Sequence, residues 1–117
     1  MDTVYFLMVI KNMNTMEHLL VCGAEEAGEV ALAALELQKR FCKSLRFGNH
    51  AVNPETDITG IDHLITELND LEAVVELLVE SGVNMIGLHD RGAISAKKAK
   101  IRACMQVAIK NGVLLGE

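Results

Sequence analysis

The sequence contains no tryptophan, one tyrosine and three phenylalanines in 117 residues. So few aromatics argue against a β-sandwich, whose strands are rich in them. Pro54 is the single proline, so almost nothing along the chain interrupts a long helix. Cysteine is sparse as well. Cys22, Cys42 and Cys104 are widely separated and form no CxxC pattern. They read as small buried hydrophobes in a reducing compartment. The four histidines, His18, His50, His63 and His89, stand at no zinc-binding spacing from them. Long apolar runs are missing too. The longest, Val4 to Ile10, is far too short to span a bilayer. It follows an acid rather than a basic segment, which argues against a signal peptide. The expectation is a cytoplasmic protein with no membrane partner.

Positive charge is the remaining shortage. The net charge is −5, which does not fit a general binder of nucleic-acid polymers. The charge is also unevenly placed. From Phe47 to Asp90 there is no Lys or Arg, while acids recur throughout. Lys39, Arg40, Lys43 and Arg46 precede that stretch, and Arg91, Lys97, Lys98, Lys100 and Arg102 follow it. This pattern suits either ordinary charges at helix ends or an acidic metal site bordered by cations for phosphate.

What is present is aliphatic bulk. Half of the residues are hydrophobic, enough for a core, and the length fits one domain over 1–117. Residues 1–13 read as an arm of undecided structure, because a run that is apolar on every side has no diagnostic period. A first helix is expected from about Thr15 to about Leu45. Asn14 caps it, and Glu17 completes a capping box. Val30, Ala34, Leu37, Phe41 and Leu45 form its apolar stripe. Gly28 either weakens this helix or marks close packing. Gly48 ends it, and residues 49–57 form a turn-rich connection. A second helix is expected from near Thr59, with Asp62 closing a capping box, to Ser81-Gly82. Its apolar residues include Ile61, Leu64, Leu68, Leu71, Val74, Val75 and Leu78. A third runs from about Ser95 to Lys110, closed by Asn111-Gly112. Three helices with wide apolar faces hardly enclose a core by themselves. The fold class is therefore all-α, a helical bundle completed by oligomerisation.

Two acidic pairs carry the chemistry. Residues three apart lie together on a helix face, so Glu26 pairs with Glu29, and Glu67 with Asp70. At about 100° per residue, Glu67 falls inside the apolar stripe of its helix and Asp70 at its edge. Asp62, Glu72, Glu76 and Glu80 point to the opposite side, and Asn69 to the polar side. Glu26 falls between Ala33 and Leu37, with Glu29 just beyond the stripe. A buried unpaired carboxylate costs several kcal/mol, by rough estimate, and like charges raise the cost. A hard divalent cation would neutralise such a cluster. Magnesium, or manganese in its place, takes oxygen ligands and keeps waters to share with phosphates. No EF-hand loop is present, and zinc would want His or Cys. A Glu pair at helical spacing is ordinarily a solvated face. Residue pattern alone therefore leaves the metal site and the solvated face as open alternatives.

The string Glu25-Glu26-x-x-Glu29 on one helix and Glu67-x-x-Asp70 on the next resembles the MazG-type all-α nucleotide pyrophosphohydrolases. Lys43-Ser44-Leu45-Arg46-Phe47-Gly48 and the residues from Leu64 to Leu71 add to the likeness, which spans about residues 17–112 and is nearest to the short, single-domain phage and mobile-element type. The resemblance implies hydrolysis of a nucleoside triphosphate to the monophosphate and pyrophosphate by a homo-oligomer, dimer or tetramer. Glu26, Glu29, Glu67 and Asp70 would bind magnesium, and Glu25 would position or deprotonate the attacking water. Lys43, Arg46 and Lys98 would contact phosphate. His63, one turn before Glu67, reads either as support for the metal ligands or as an ordinary core or surface histidine. Two other readings stand beside this one: a phosphoribosyl-ATP pyrophosphohydrolase, and a helical oligomerisation module without activity.

Overall fold

A computed structural model of the chain describes residues 13–47 and 58–116, with side chains of 43–47 and 58 left aside. The expectations for the arm before residue 13, for Gly48 and for the 49–57 connection fall outside the described residues. The described residues are all-helical. Helix α1 spans Thr15–Phe47, α2 spans Ile58–Glu80 and α3 spans Arg91–Lys110. None of them is long and apolar enough to cross a membrane. Contacts group the chain into two units, one through Asn84 and one from Met85.

In the first unit α1 begins as its sequence dictates. The Asn14 side chain accepts a hydrogen bond from the Glu17 backbone N–H at 2.8 Å, satisfying one of the donors that a helix start leaves free. Helix α2 is already formed at Ile58, so Thr59 is an interior residue rather than a cap. Its end is a Schellman turn. Gly82 adopts φ 94°, its N–H reaches the Val79 carbonyl at 3.0 Å, and the Val83 N–H reaches that of Leu78 at 3.0 Å. Glycine takes this left-handed conformation at no steric cost.

The two helices pack antiparallel. A Cβ on Gly23 would stand 3.6 Å from Val74 Cγ1, while Ala33 and Leu37 share a cavity wall with Thr59, Gly60 and His63. The buried apolar residues are Leu19, Ala33 and Leu37 on α1 and Val74 and Leu78 on α2. With half-buried Gly23, Glu26 and Val30, the α1 positions step by four and three. So do Gly60, Leu64, Glu67, Leu71, Val74 and Leu78 on α2, all buried or half-buried. This is the seam of a two-helix coiled coil. It corrects the expected α1 stripe at one position: Ala33 is buried and Ala34 exposed, because the seam follows the three-four alternation set by Val30 and Leu37. Close packing, one of the two readings of Gly28, is found at Gly23 instead; among the described residues, nothing stands within 4 Å of where a Gly28 Cβ would lie. Leu68 is exposed rather than part of this seam. Glu72 is half-buried, not turned to the polar side, because the apolar face of α2 is wider than one seam.

The second unit opens with a turn closed by the Leu88 N–H on the Met85 carbonyl at 2.9 Å. His89 then takes φ 62°, unusual for a residue with a Cβ. It delivers the chain to Asp90, whose side chain caps α3 by accepting from the Ala93 N–H at 2.8 Å. The helix thus begins four residues before the expected Ser95, because the Asp90 side chain caps it there. Its end is as expected. The Asn111 N–H bonds to the Val107 carbonyl, and Gly112, at φ 75°, closes a second Schellman turn. No residue of α3 is buried.

The cysteines depart from expectation. Cys22 is half-buried, with Sγ 3.6 Å from His18 Nε2, and Cys42 and Cys104 are exposed. Cys42 falls off the α1 seam, and α3 has no covered face to receive Cys104.

Candidate functional site

The α1–α2 seam is interrupted by two acids at adjoining levels. Glu26 occupies the α1 row between Gly23 and Val30, and Glu67 the α2 row between Leu64 and Leu71. Asp70 flanks the seam one turn after Glu67. Antiparallel packing brings the three together. One carboxylate oxygen from each of Glu26, Glu67 and Asp70 lies within 4.8 Å of the others. Glu26 and Glu67 are half-buried, with 14 % of the Glu67 side chain exposed, and Asp70 is exposed.

Such a cluster is electrostatically costly. Partial burial holds the Glu26 carboxyl above the usual carboxylate range, helped by the negative charges of Asp70, Glu67, Glu29 and Glu25. Both effects disfavour the ionised form. His63 adds a basic group at the rim, with Nε2 3.8 Å from Glu67 Oε1; its side chain is 59 % exposed. It is therefore a surface ring beside the cluster, not a core histidine.

Oxygen is the only donor type in the trio, which fits a hard cation such as magnesium or manganese better than zinc. Residues Glu26, Glu67 and Asp70 thus have the chemistry to hold such an ion.

The other expected site residues are placed differently. Glu29 is exposed and lies outside the trio, although near enough for its charge to act on Glu26. It follows Glu26 by three residues and leaves the seam where Val30 enters it. Glu25 is also exposed and acts on Glu26 in the same way. The backbone at Lys43 and Arg46 is helical, within α1, and their side chains are outside the described set. Lys98 is exposed on α3, in the second unit.

Sequence reasoning missed a cavity of about 250 Å³ in the first unit, lined by Ala33, Glu36, Leu37, Arg40, Thr59, Gly60 and His63. Ala33, Leu37 and Gly60 are buried, while Glu36, Thr59 and His63 are exposed. His63 belongs both to this wall and to the edge of the acidic trio. Gly60, which makes room on α2, carried the only sequence signal: a small residue at a seam position.

The chain matches no protein-family model, no curated protein and no solved structure.

Proposed function

We propose that the protein is a magnesium-dependent nucleoside triphosphate pyrophosphohydrolase of the MazG-like type, working as a homo-oligomer. The observation that carries this reading is the convergence of Glu26, Glu67 and Asp70 from two helices onto one small volume. Residues 41 and 44 positions apart in the sequence meet there, and a bound cation would offset their mutual repulsion. Magnesium held there, or manganese in its place, would neutralise phosphate charge and acidify a water. Glu29 supplies a fourth carboxylate beside the trio. Glu25 stands next to Glu26 in sequence and takes the proton of the attacking water on its carboxylate. As the water oxygen bonds to phosphorus, the bridging bond between the α- and β-phosphates breaks, leaving monophosphate and pyrophosphate. Lys43 and Arg46, one helical turn apart near the end of α1, contribute positive charge for phosphate. The cavity beside His63 has a buried apolar floor and a polar rim, a lining suited to a nucleoside.

The test is a panel of standard and damaged nucleotides with magnesium, scored for pyrophosphate release, with phosphoribosyl-ATP included. Turnover of phosphoribosyl-ATP alone would move the reading to that substrate. Glu67→Gln should lower turnover by more than about 100-fold, beyond what loss of a supporting group next to a metal costs, while far-ultraviolet circular dichroism stays unchanged. A folded Glu67→Gln protein of normal rate would refute the assignment.

A second reading has its own observation. Leu32, Leu35, Ile65, Leu68 and Val79 are exposed, more apolar surface than a lone hairpin carries without a partner. This favours association, which a helical oligomerisation module without activity would also provide. Such a module would release no pyrophosphate and show no thermal shift with magnesium.

A further inference from the structure

Along α2 the cavity and the acidic trio follow one another. Thr59, Gly60 and His63 line the cavity, and Glu67 and Asp70 belong to the trio. From Gly60 to Glu67 the helix rises about 10 Å. His63 is common to both places. Its side chain walls the cavity, and its Nε2 stands 3.8 Å from Glu67 Oε1. It precedes Glu67 by four residues, so the two share a helix face.

A nucleotide is built in the same order: a flat base, a sugar, then a chain of phosphates. With the base on the buried floor of Ala33, Leu37 and Gly60 and the phosphates at the trio, the α-phosphate comes beside His63. Helix α2 carries no Lys or Arg, so His63 is its one basic side chain. At 3.8 Å from Glu67 the ring nitrogen is beyond hydrogen-bond range of that carboxylate. An imidazole carries an N–H donor whether neutral or protonated, so a contact with phosphate does not depend on its charge.

We propose that His63 donates a hydrogen bond to the α-phosphate of a nucleotide lying along α2, base in the cavity and phosphates at the trio. The substrate class rests on the proposed function. The new elements are a direction, nucleoside towards the start of α2 and pyrophosphate towards its end, and a side chain that holds the reacting phosphate in place. Such positioning lowers the entropic part of a reaction barrier. A bare phosphate needs only the trio and a bare nucleoside only the cavity; a nucleotide spans both, past His63.

The test uses the full chain with magnesium and four deoxynucleoside triphosphate analogues, one for each common base, whose α,β-bridging oxygen is replaced by methylene. Binding is measured by calorimetry, and circular dichroism confirms folding. His63→Ala should raise the dissociation constant of the best-bound analogue at least about tenfold, as loss of a hydrogen bond to a charged group does. His63→Gln, which keeps an N–H donor, should raise it less. In proton NMR the His63 imidazole signal, assigned by its loss in His63→Gln, should shift when that analogue is added. A wild type that binds no analogue, a folded His63→Ala protein of unchanged affinity, or an unmoved His63 signal would each overturn the proposal. These His63 effects without pyrophosphate release from the natural triphosphates would sink the hydrolase reading and leave the contact standing. Pyrophosphate release by His63→Ala at unchanged KM would do the reverse.

Discussion

At Glu26, position on the helix decides chemistry. The residue occupies a row otherwise held by Leu19, Gly23, Val30, Ala33 and Leu37, and its carboxyl is held high by partial burial and by the acids around it. An acid whose proton is held more tightly when folded stabilises the fold below its unfolded pKa, and that contribution is lost as pH rises through the folded value. The window therefore opens at the ordinary carboxylate value of 4.5 and extends upward. Free of divalent ions, the protein should lose melting temperature through this group as pH rises above 4.5, and Glu26→Gln should lose less. Magnesium should recover the loss at the upper pH in the wild type. Equal pH profiles for both proteins would show that Glu26 is not under this strain. The placing of Glu26 and Glu67 among apolar residues was legible from helical projection. Glu72 was not. Projection against a single stripe assigned it to water, and only a second apolar row reveals its half-buried setting.

Among the elements, α1 was the most legible, because Asn14 and Glu17 mark its start and a three-four alternation marks its buried face. The start of α3 was less so. Gly92 follows Asp90 closely and reads as a loop residue, yet the Asp90 carboxylate takes the Ala93 N–H and starts the helix ahead of it. Replacing Asp90 by Ala should cost about 1 kcal/mol, read as reduced helicity and an earlier melt, whereas Asp90→Asn should keep most of the stability. If both substitutions were silent, the helix would owe nothing to this cap. The left-handed His89 sets the direction in which the chain enters that cap, a geometry that no propensity scale assigns to histidine.

For the molecule as a whole, burial is modest. Leu19, Ala33, Leu37, Val74 and Leu78 are buried, each larger side chain contributing about 1.5–3 kcal/mol, and no described side chain is completely sealed from solvent. The need for further burial was visible in the sequence as apolar faces too wide for three helices. Which faces remain open was not, because that depends on the register in which α1 meets α2. If association covers them, folding is coupled to concentration. A hundredfold increase in protein should raise the melting temperature by several degrees, since mass action over that range is worth about 2.7 kcal/mol per dimer. A melting temperature independent of concentration would mean that the open faces stay wet.

The exposed thiols of Cys42 and Cys104 bear on every measurement of assembly. Accessible sulfhydryls on separate molecules cross-link in air as thiolate attacks an oxidised neighbour. A preparation left without reductant would gain disulfide-joined species that mimic a native complex on a sizing column yet vanish on treatment with dithiothreitol.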